Sequence, residues 1–333
     1  MSVGEGAIHQ LTERSDFQQE YFTADELYNR NSKAIYTQPF NGNNRIIITR
    51  EADLCRPIRI LCNNMSDGFY ISKINLTIGG QILYTIDTDF LMSIIPDFIS
   101  NIFIDGCHYK VYNLDRTSLF TTINMLCVQY MEVALSIETY GTCDSIDLQS
   151  EYTYLDCDKR RSLSTYNNGN YIDDKFTTLS TGLVSGFRND NIVSIVADGC
   201  INGIILSGIN YTRLNKIRLY LSSNMHLRIA LDGKLSIYTN ITVINDFAIY
   251  IPLNEVGMLD DITPSSLNTS VQDAIYLELG LDNEYMEGMG SIDFNIGFFS
   301  KNILRYSFDM ATVRFLHRHD INCDVLDAIP VIE

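Results

Sequence analysis

Apolar side chains recur at every second position in one short run after another from Arg45 onward, and that period of two confines the chain to strands with one packed face. Residues 57–62 put Ile58, Ile60 and Cys62 on one side. In residues 73–78, Ile74, Leu76 and Ile78 face a core while Lys73, Asn75 and Thr77 face away, and Gly79-Gly80 follows as a turn. Met131, Val133, Leu135 and Ile137 oppose Glu132, Ala134, Ser136 and Glu138. Further on, Met225, Leu227, Ile229 and Leu231 alternate with polar or small neighbours up to Asp232-Gly233, which suits a tight hairpin returning through Leu235 and Ile237. Ile275, Leu277, Leu279 and Leu281 repeat the pattern, as do Ile292, Phe294, Ile296 and Phe298. Clean alternation of this kind belongs to antiparallel sheets with one buried face.

One segment departs from it. Phe90, Leu91, Ile94, Ile95, Phe98 and Ile99 recur at three- and four-residue spacing, which predicts a short helix capped by Asp87 or Thr88 and interrupted by Pro96.

The alternation stops in a polar run at 158–175 and starts afresh beyond it. With 333 residues, the chain is too long for one ordinary sandwich and suits two of about 150 residues each. The expected fold is therefore all-β, two tandem antiparallel jelly-roll sandwiches with little helix. Residues 1–34 read as an N-terminal arm with an acidic helical stretch at 23–29, residues 35–158 as the first sandwich, 159–174 as a linker and 175–333 as the second.

Charge and chemistry narrow the function. Against 24 basic residues stand 41 acidic ones, a net charge of −17 that opposes direct nucleic-acid binding over a broad surface. The acidity reads as solubility at high local concentration. Cation binding between acidic subunits finds no calcium-loop spacing to support it. Eight Cys form no CxxC pair, so no structural zinc site is expected. No stretch approaches 18 apolar residues, and the first residues lack a basic segment followed by an apolar one. Free thiols in a reducing cytosol are the expectation. The sequons at Asn64, Asn75, Asn210, Asn240 and Asn268 are then chance matches.

Catalytic constellations are absent from the pattern. No GxSxG, HExxH, GxxxxGK[ST] or GxGxxG occurs. His317-Arg318-His319 reads as a charged strand end, and no third metal ligand clusters beside it. The glycines within 199–208 are separated by bulky apolar residues, which suits a strand entered through turns. Asp173-Asp174 and Asp260-Asp261 read as solvated loop acids. Cys157 sits between Asp156 and Asp158, which disfavour a thiolate. No catalytic, cofactor-binding or metal-binding residue is assigned, no cofactor is expected, and no small-molecule substrate is inferred.

Two segments carry a family resemblance. Leu148-Gln149-Ser150-Glu151-Tyr152-Thr153-Tyr154-Leu155-Asp156-Cys157-Asp158-Lys159-Arg160-Arg161 resembles the end of the first jelly roll in major capsid proteins of large nucleocytoplasmic DNA viruses. There an aromatic strand leads to Leu-Asp-x-Asp and a basic run; Cys157 and Lys159 differ from the commoner residues. Ile74-Asn75-Leu76-Thr77-Ile78-Gly79-Gly80-Gln81 is similar to the same family's strand-Gly-Gly-Gln element. Gly290-Ser291-Ile292-Asp293-Phe294-Asn295 is loosely similar to an element near the end of its second jelly roll.

The resemblance implies a double jelly roll, a homotrimeric pseudo-hexagonal capsomer and a place in an icosahedral virion shell assembled in the host cytoplasm. Other capsid proteins would be its partners, with room for an internal membrane beneath the shell. The chain has little room for the outer-tower insertions of longer members, so a minor, penton or scaffold subunit stays open. So does a β-sandwich module that binds carbohydrate or a receptor, while a metal-dependent cupin finds too few His. Within this reading Asp156, Asp158, Lys159, Arg160 and Arg161 are exposed at the foot of the first sandwich. They should serve assembly and not folding, so that Arg160→Glu with Arg161→Glu should leave melting unchanged.

Overall fold

The computed structural model describes residues 32–40, 42, 44–95, 97–104, 107–117, 122–155, 160, 172–189, 191–196, 200–221, 226–232, 241–252, 267–269, 274–307, 310–314 and 322–327. They fall into two compact units. The first holds the described residues up to Thr177 together with Asn302–Arg314. The second holds Thr178–Lys301 and the described residues after Arg314.

The first half of the chain contributes β1 (Ser32–Pro39), β2 (Arg45–Ile47), β3 (Leu54–Met65), β4 (Tyr70–Ile78), β5 (Gln81–Asp87), helix α1 (Thr88–Ile94), β6 (Ile99–Ile104), β7 (Cys107–Asn113), β8 (Ile123–Asn124), β9 (Val133–Tyr140) and β10 (Cys143–Tyr154). One sheet runs β1-β10-β3-β7-β6 with β8 beside β3, and the other runs β2-β9-β4-β5. The second half contributes β11 (Ile172–Phe187), β12 (Ile192–Val196), β13 (Cys200–Ser207), β14 (Leu214–Leu221), β15 (His226–Asp232), β16 (Thr242–Asn245), β17 (Ala248–Pro252), β18 (Leu267–Asn268), β19 (Ile275–Leu281), helix α2 (Asn283–Met289), β20 (Ile292–Ser307), β21 (Met310–Arg314) and β22 (Asn322–Leu326). Its sheets run β11-β20-β13-β17-β16, with β18 beside β13 and β21 beside β20, and β15-β14-β19-β12-β22.

The two halves repeat one topology. In the first, β1 pairs with β10, β2 with β9, β3 with β7 and β4 with β5, all antiparallel. In the second, β11 neighbours β20, while β12 pairs with β19, β13 with β17 and β14 with β15. Each half is thus one long double-stranded hairpin, first strand against eighth through fourth against fifth, wound into two facing sheets. That is the path of a jelly roll. Even the additional strands recur: β6 and β16 each extend the sheet beyond the sixth strand, and β8 and β18 each lie against the third. The sequence shows no matching repeat, because only the in-out pattern must be conserved to specify this path.

Burial follows the expected alternation. Ile74, Leu76 and Ile78 in β4 are buried, as are Val133, Leu135 and Ile137 in β9. In β19, Ile275, Leu277, Leu279 and Leu281 are buried while Tyr276, Glu278 and Gly280 are not. Ile292, Phe294, Ile296 and Phe298 supply the β20 contribution to the second core. Bulges reset the parity elsewhere. Ile58 is an extra residue in β3 opposite the Gln149/Ser150 step, so Cys55 and Pro57 before it and Ile60 and Cys62 after it all point inward. Ala134, expected on the polar side, is also buried. The first unit's sheets are joined across the core by the Ile71 N–H, which donates to Tyr112 Oη at 2.9 Å.

At the β4–β5 turn, Gly79 and Gly80 both take positive φ, 58° and 81°, as a type I′ hairpin requires. Helix α1 begins where expected. The Phe90 N–H donates to Asp87 Oδ1 at 3.0 Å, and Phe90, Leu91 and Ile94 are buried. It ends at Ile94, earlier than the apolar spacing suggests, because Ile95 is extended and Phe98 is buried at the entry to β6. Asp87→Ala should lower unfolding free energy by about 1 kcal/mol while Asp87→Asn retains most of it. Urea denaturation of both variants checks this; equal losses would mean that the side-chain cap contributes nothing.

The strand expected at 225–232 is present as β15 and pairs with β14. Gly233, Leu235 and Ile237 lie outside the described residues, as do residues 1–31 and most of the 159–174 segment.

Candidate assembly surface

The basic foot of the first sandwich was the sequence's candidate for assembly. Asp156, Asp158, Lys159 and Arg161 lie outside the described residues. Arg160 lies within them. Its Nη2 and Nε lie 2.6 and 2.7 Å from Oδ1 of Asp53, whose side chain is only 1% exposed. Oδ2 of the same carboxylate accepts the Leu155 N–H at 2.8 Å. The guanidinium, itself 56% exposed, therefore neutralises a buried carboxylate just before β3 and ties the end of β10 to it. Arg160 is exposed as expected, but it has a partner within its own chain that the reading of an assembly-only charge left out. Asp53 carries no local sequence signal of this pairing, 107 residues away.

Cys157, Asp260-Asp261 and His317-Arg318-His319 lie outside the described residues; Asp173-Asp174, expected in a loop, instead fall on strand β11, with their side chains outside the described set. Residues 200–207 form strand β13, and Gly203 lies beneath the Tyr250 ring, where a Cβ would collide with it. Burial pushes the Cys55 and Cys323 thiols up to about 12 and raises those of Cys62 and Cys143. Thiols so shifted are not nucleophiles near neutral pH. Among the described residues no three His, Cys, Asp or Glu side chains gather as a metal site, and no helix is long and apolar enough to cross a membrane.

A different surface stands out, the outward face of β2-β9-β4-β5. Strand register aligns Ile47 with Ala134, Ala134 with Thr77, and Thr77 with Ile82, one row across all four strands. Ile47 and Ile82 are 48% and 42% exposed, while Ala134 between them is closed to solvent. The next row holds Arg45, Ser136, Asn75 and Thr85, and Arg45 pairs with Glu132. Beyond it, Lys73 lies opposite both Glu138 and Asp87. At the far end the rings of Tyr70 and Tyr140 stack with centroids 4.8 Å apart and planes 14° from parallel. A solvent-facing sheet surface is ordinarily polar; this one has apolar ends. The signal was present in Ile46-Ile47-Ile48 and Ile82-Leu83-Tyr84, short runs apolar on both faces.

No family model and no curated protein matches the sequence. Solved structures do match in fold. PBCV-1 VP54, fitted into a cryo-EM reconstruction of the virophage Sputnik, superposes with a TM-score of 0.63 at 14% identity, over 86% of this chain and 97% of that one. The fold is a double jelly roll. A quasi-atomic model of the PBCV-1 virus capsid matches with a TM-score of 0.57 at 13% identity, again over 86% and 97%. Because the double jelly roll here spans nearly the full length of those chains, little of either lies outside the shared architecture. The expectation from residues 148–161 and 74–81 that two jelly rolls follow one another is met in both units.

Proposed function

We propose that this chain is a structural capsid protein of an icosahedral DNA virus that self-assembles into trimers with pseudo-hexagonal outline. The observation that carries the reading is the repeated topology: two sandwiches wound along the same path, in a double jelly roll like those of the PBCV-1 structures. Three such chains bring six similar blocks, which is what a hexagonal tile needs. Strands β1–β10 and β11–β22 serve as the two blocks, the first beginning at Ser32 and the second at Ile172. The role is architectural and not enzymatic. Its partners are copies of itself and other capsid proteins in the virion shell, built in the host cytoplasm. With a net charge of −17, the chain makes no direct contact with the genome.

Light scattering at micromolar concentration tests the reading. The expected mass is three times the 37.9 kDa of one chain, with larger sheets or shells at higher concentration. The interface should bury more than about 1,000 Å² per contact. A persistent monomer, above all one that retains a glycan ligand, would overturn the proposal in favour of a recognition module.

A further inference from the structure

We propose that the outward face of β2-β9-β4-β5 is where a second copy of this chain docks, an assignment that rests on the self-assembly reading above. The isoleucine row is the first reason. Ile47 and Ile82 stand as ridges on either side of Ala134 and Thr77, which form a shallow floor three strand spacings wide, about 14 Å. Thr77 Oγ1 is turned down to the Ala134 carbonyl at 3.1 Å, so the floor presents its methyl and not its hydroxyl as a free donor. Apolar groups in that arrangement gain only when another surface excludes water from them.

Charge selects the occupant. The chain carries −17, so two copies repel one another wherever acidic surface meets acidic surface. On this face Arg45 is paired with Glu132, and Lys73 lies between Glu138 and Asp87, so these groups sum to only −1. Charges farther away than about 8–10 Å are largely screened at physiological salt. A strongly basic partner would find more attraction elsewhere on an acidic chain, and an anionic membrane or nucleic acid would gain nothing here.

Size fits as well. Strands of three, eight, nine and seven residues make a face of roughly 400 Å² in projection. A stable interface needs about 800 Å² per partner. The face, with the Tyr70–Tyr140 stack at its far end, supplies about half of that.

The test is the double variant Ile47→Lys with Ile82→Lys in the full chain. Both side chains are exposed, so its thermal unfolding should match that of the wild type. The two lysines reduce the net negative charge, which by itself favours association; any loss of assembly must therefore come from the contact. Burying two unpaired ammonium groups should raise the concentration needed for half-assembly by at least about tenfold. Phe103→Lys, on the exposed β6 of the other sheet, should assemble like the wild type. If the lysine variant misfolds, Ile47→Thr with Ile82→Thr, which suits exposed strands, should still weaken assembly several-fold. Undiminished assembly of a folded double variant overturns this face as the contact and leaves the self-assembly reading standing. Equal weakening by Phe103→Lys overturns it too. A wild-type chain that stays monomeric removes both proposals together.

Discussion

Replacing Phe294 with Ala should destabilise the second unit by about 3–5 kcal/mol, as removal of a buried phenyl ring does when its surroundings cannot collapse. The Phe294 ring is fully buried and meets Phe187 edge-on, with centroids 5.6 Å apart and planes at 85°. It joins β20 to β11, the eighth strand to the first, so its loss falls on the closing pair of the wound hairpin. Gly208 lies against the Phe294 backbone and takes φ 97°, a conformation that favours glycine. Phe247 is the matched control, the same side chain exposed at the β16–β17 turn, where Ala should change stability by no more than about 0.5 kcal/mol. Urea unfolding followed by tyrosine fluorescence compares the two. Similar losses would sink the inward assignment of β20. A small loss at both would mean that the second core does not depend on this ring.

Phe294 also shows how far the sequence could be read. Its place at every second position with Ile292, Ile296 and Phe298 was enough to put it inside, because a half-buried sheet enforces that period on its own side chains. Ile275 to Leu281 in β19 and Ile74 to Ile78 in β4 were legible for the same reason. Asp87 announced its helix because capping is local chemistry within three residues.

What escaped the pattern was either parity or distance. A bulge at Ile58 shifts the inward set of β3 by one, and no residue type marks that shift in advance. The pairing of first strand with eighth joins residues more than 100 positions apart, as in Tyr36 with Ser150, and alternation is silent about partners. Ile47 was one apolar residue in a row of three; only register with Ala134, Thr77 and Ile82 turns it into a surface. Arg160 combines both difficulties, since its neighbours suggested an exposed basic run and its partner lies at Asp53.

Arg160→Glu should therefore lower the stability of the first unit by about 2–3 kcal/mol, between the roughly 0–1 kcal/mol of an exposed ion pair and the 3–5 kcal/mol lost when a fully buried pair is broken. The intermediate value follows from the asymmetry of the pair: the Asp53 carboxylate is closed to water, while the guanidinium is more than half exposed. After the substitution one carboxylate oxygen still accepts the Leu155 N–H, but the other loses both guanidinium bonds and faces a like charge. Arg160→Gln, which removes the cation without adding an anion, should be milder. Adding Asp53→Asn to Arg160→Gln should recover part of the loss, because the uncompensated buried charge is then gone. High salt should narrow the gap between wild type and Arg160→Gln only partly, since the buried end of the pair is poorly screened. Chemical denaturation of the isolated chain at a concentration below assembly isolates this effect from any role between subunits. If Arg160→Glu unfolds like the wild type there, yet assembles poorly, the arginine acts at an interface and the brace at Asp53 contributes nothing to the fold.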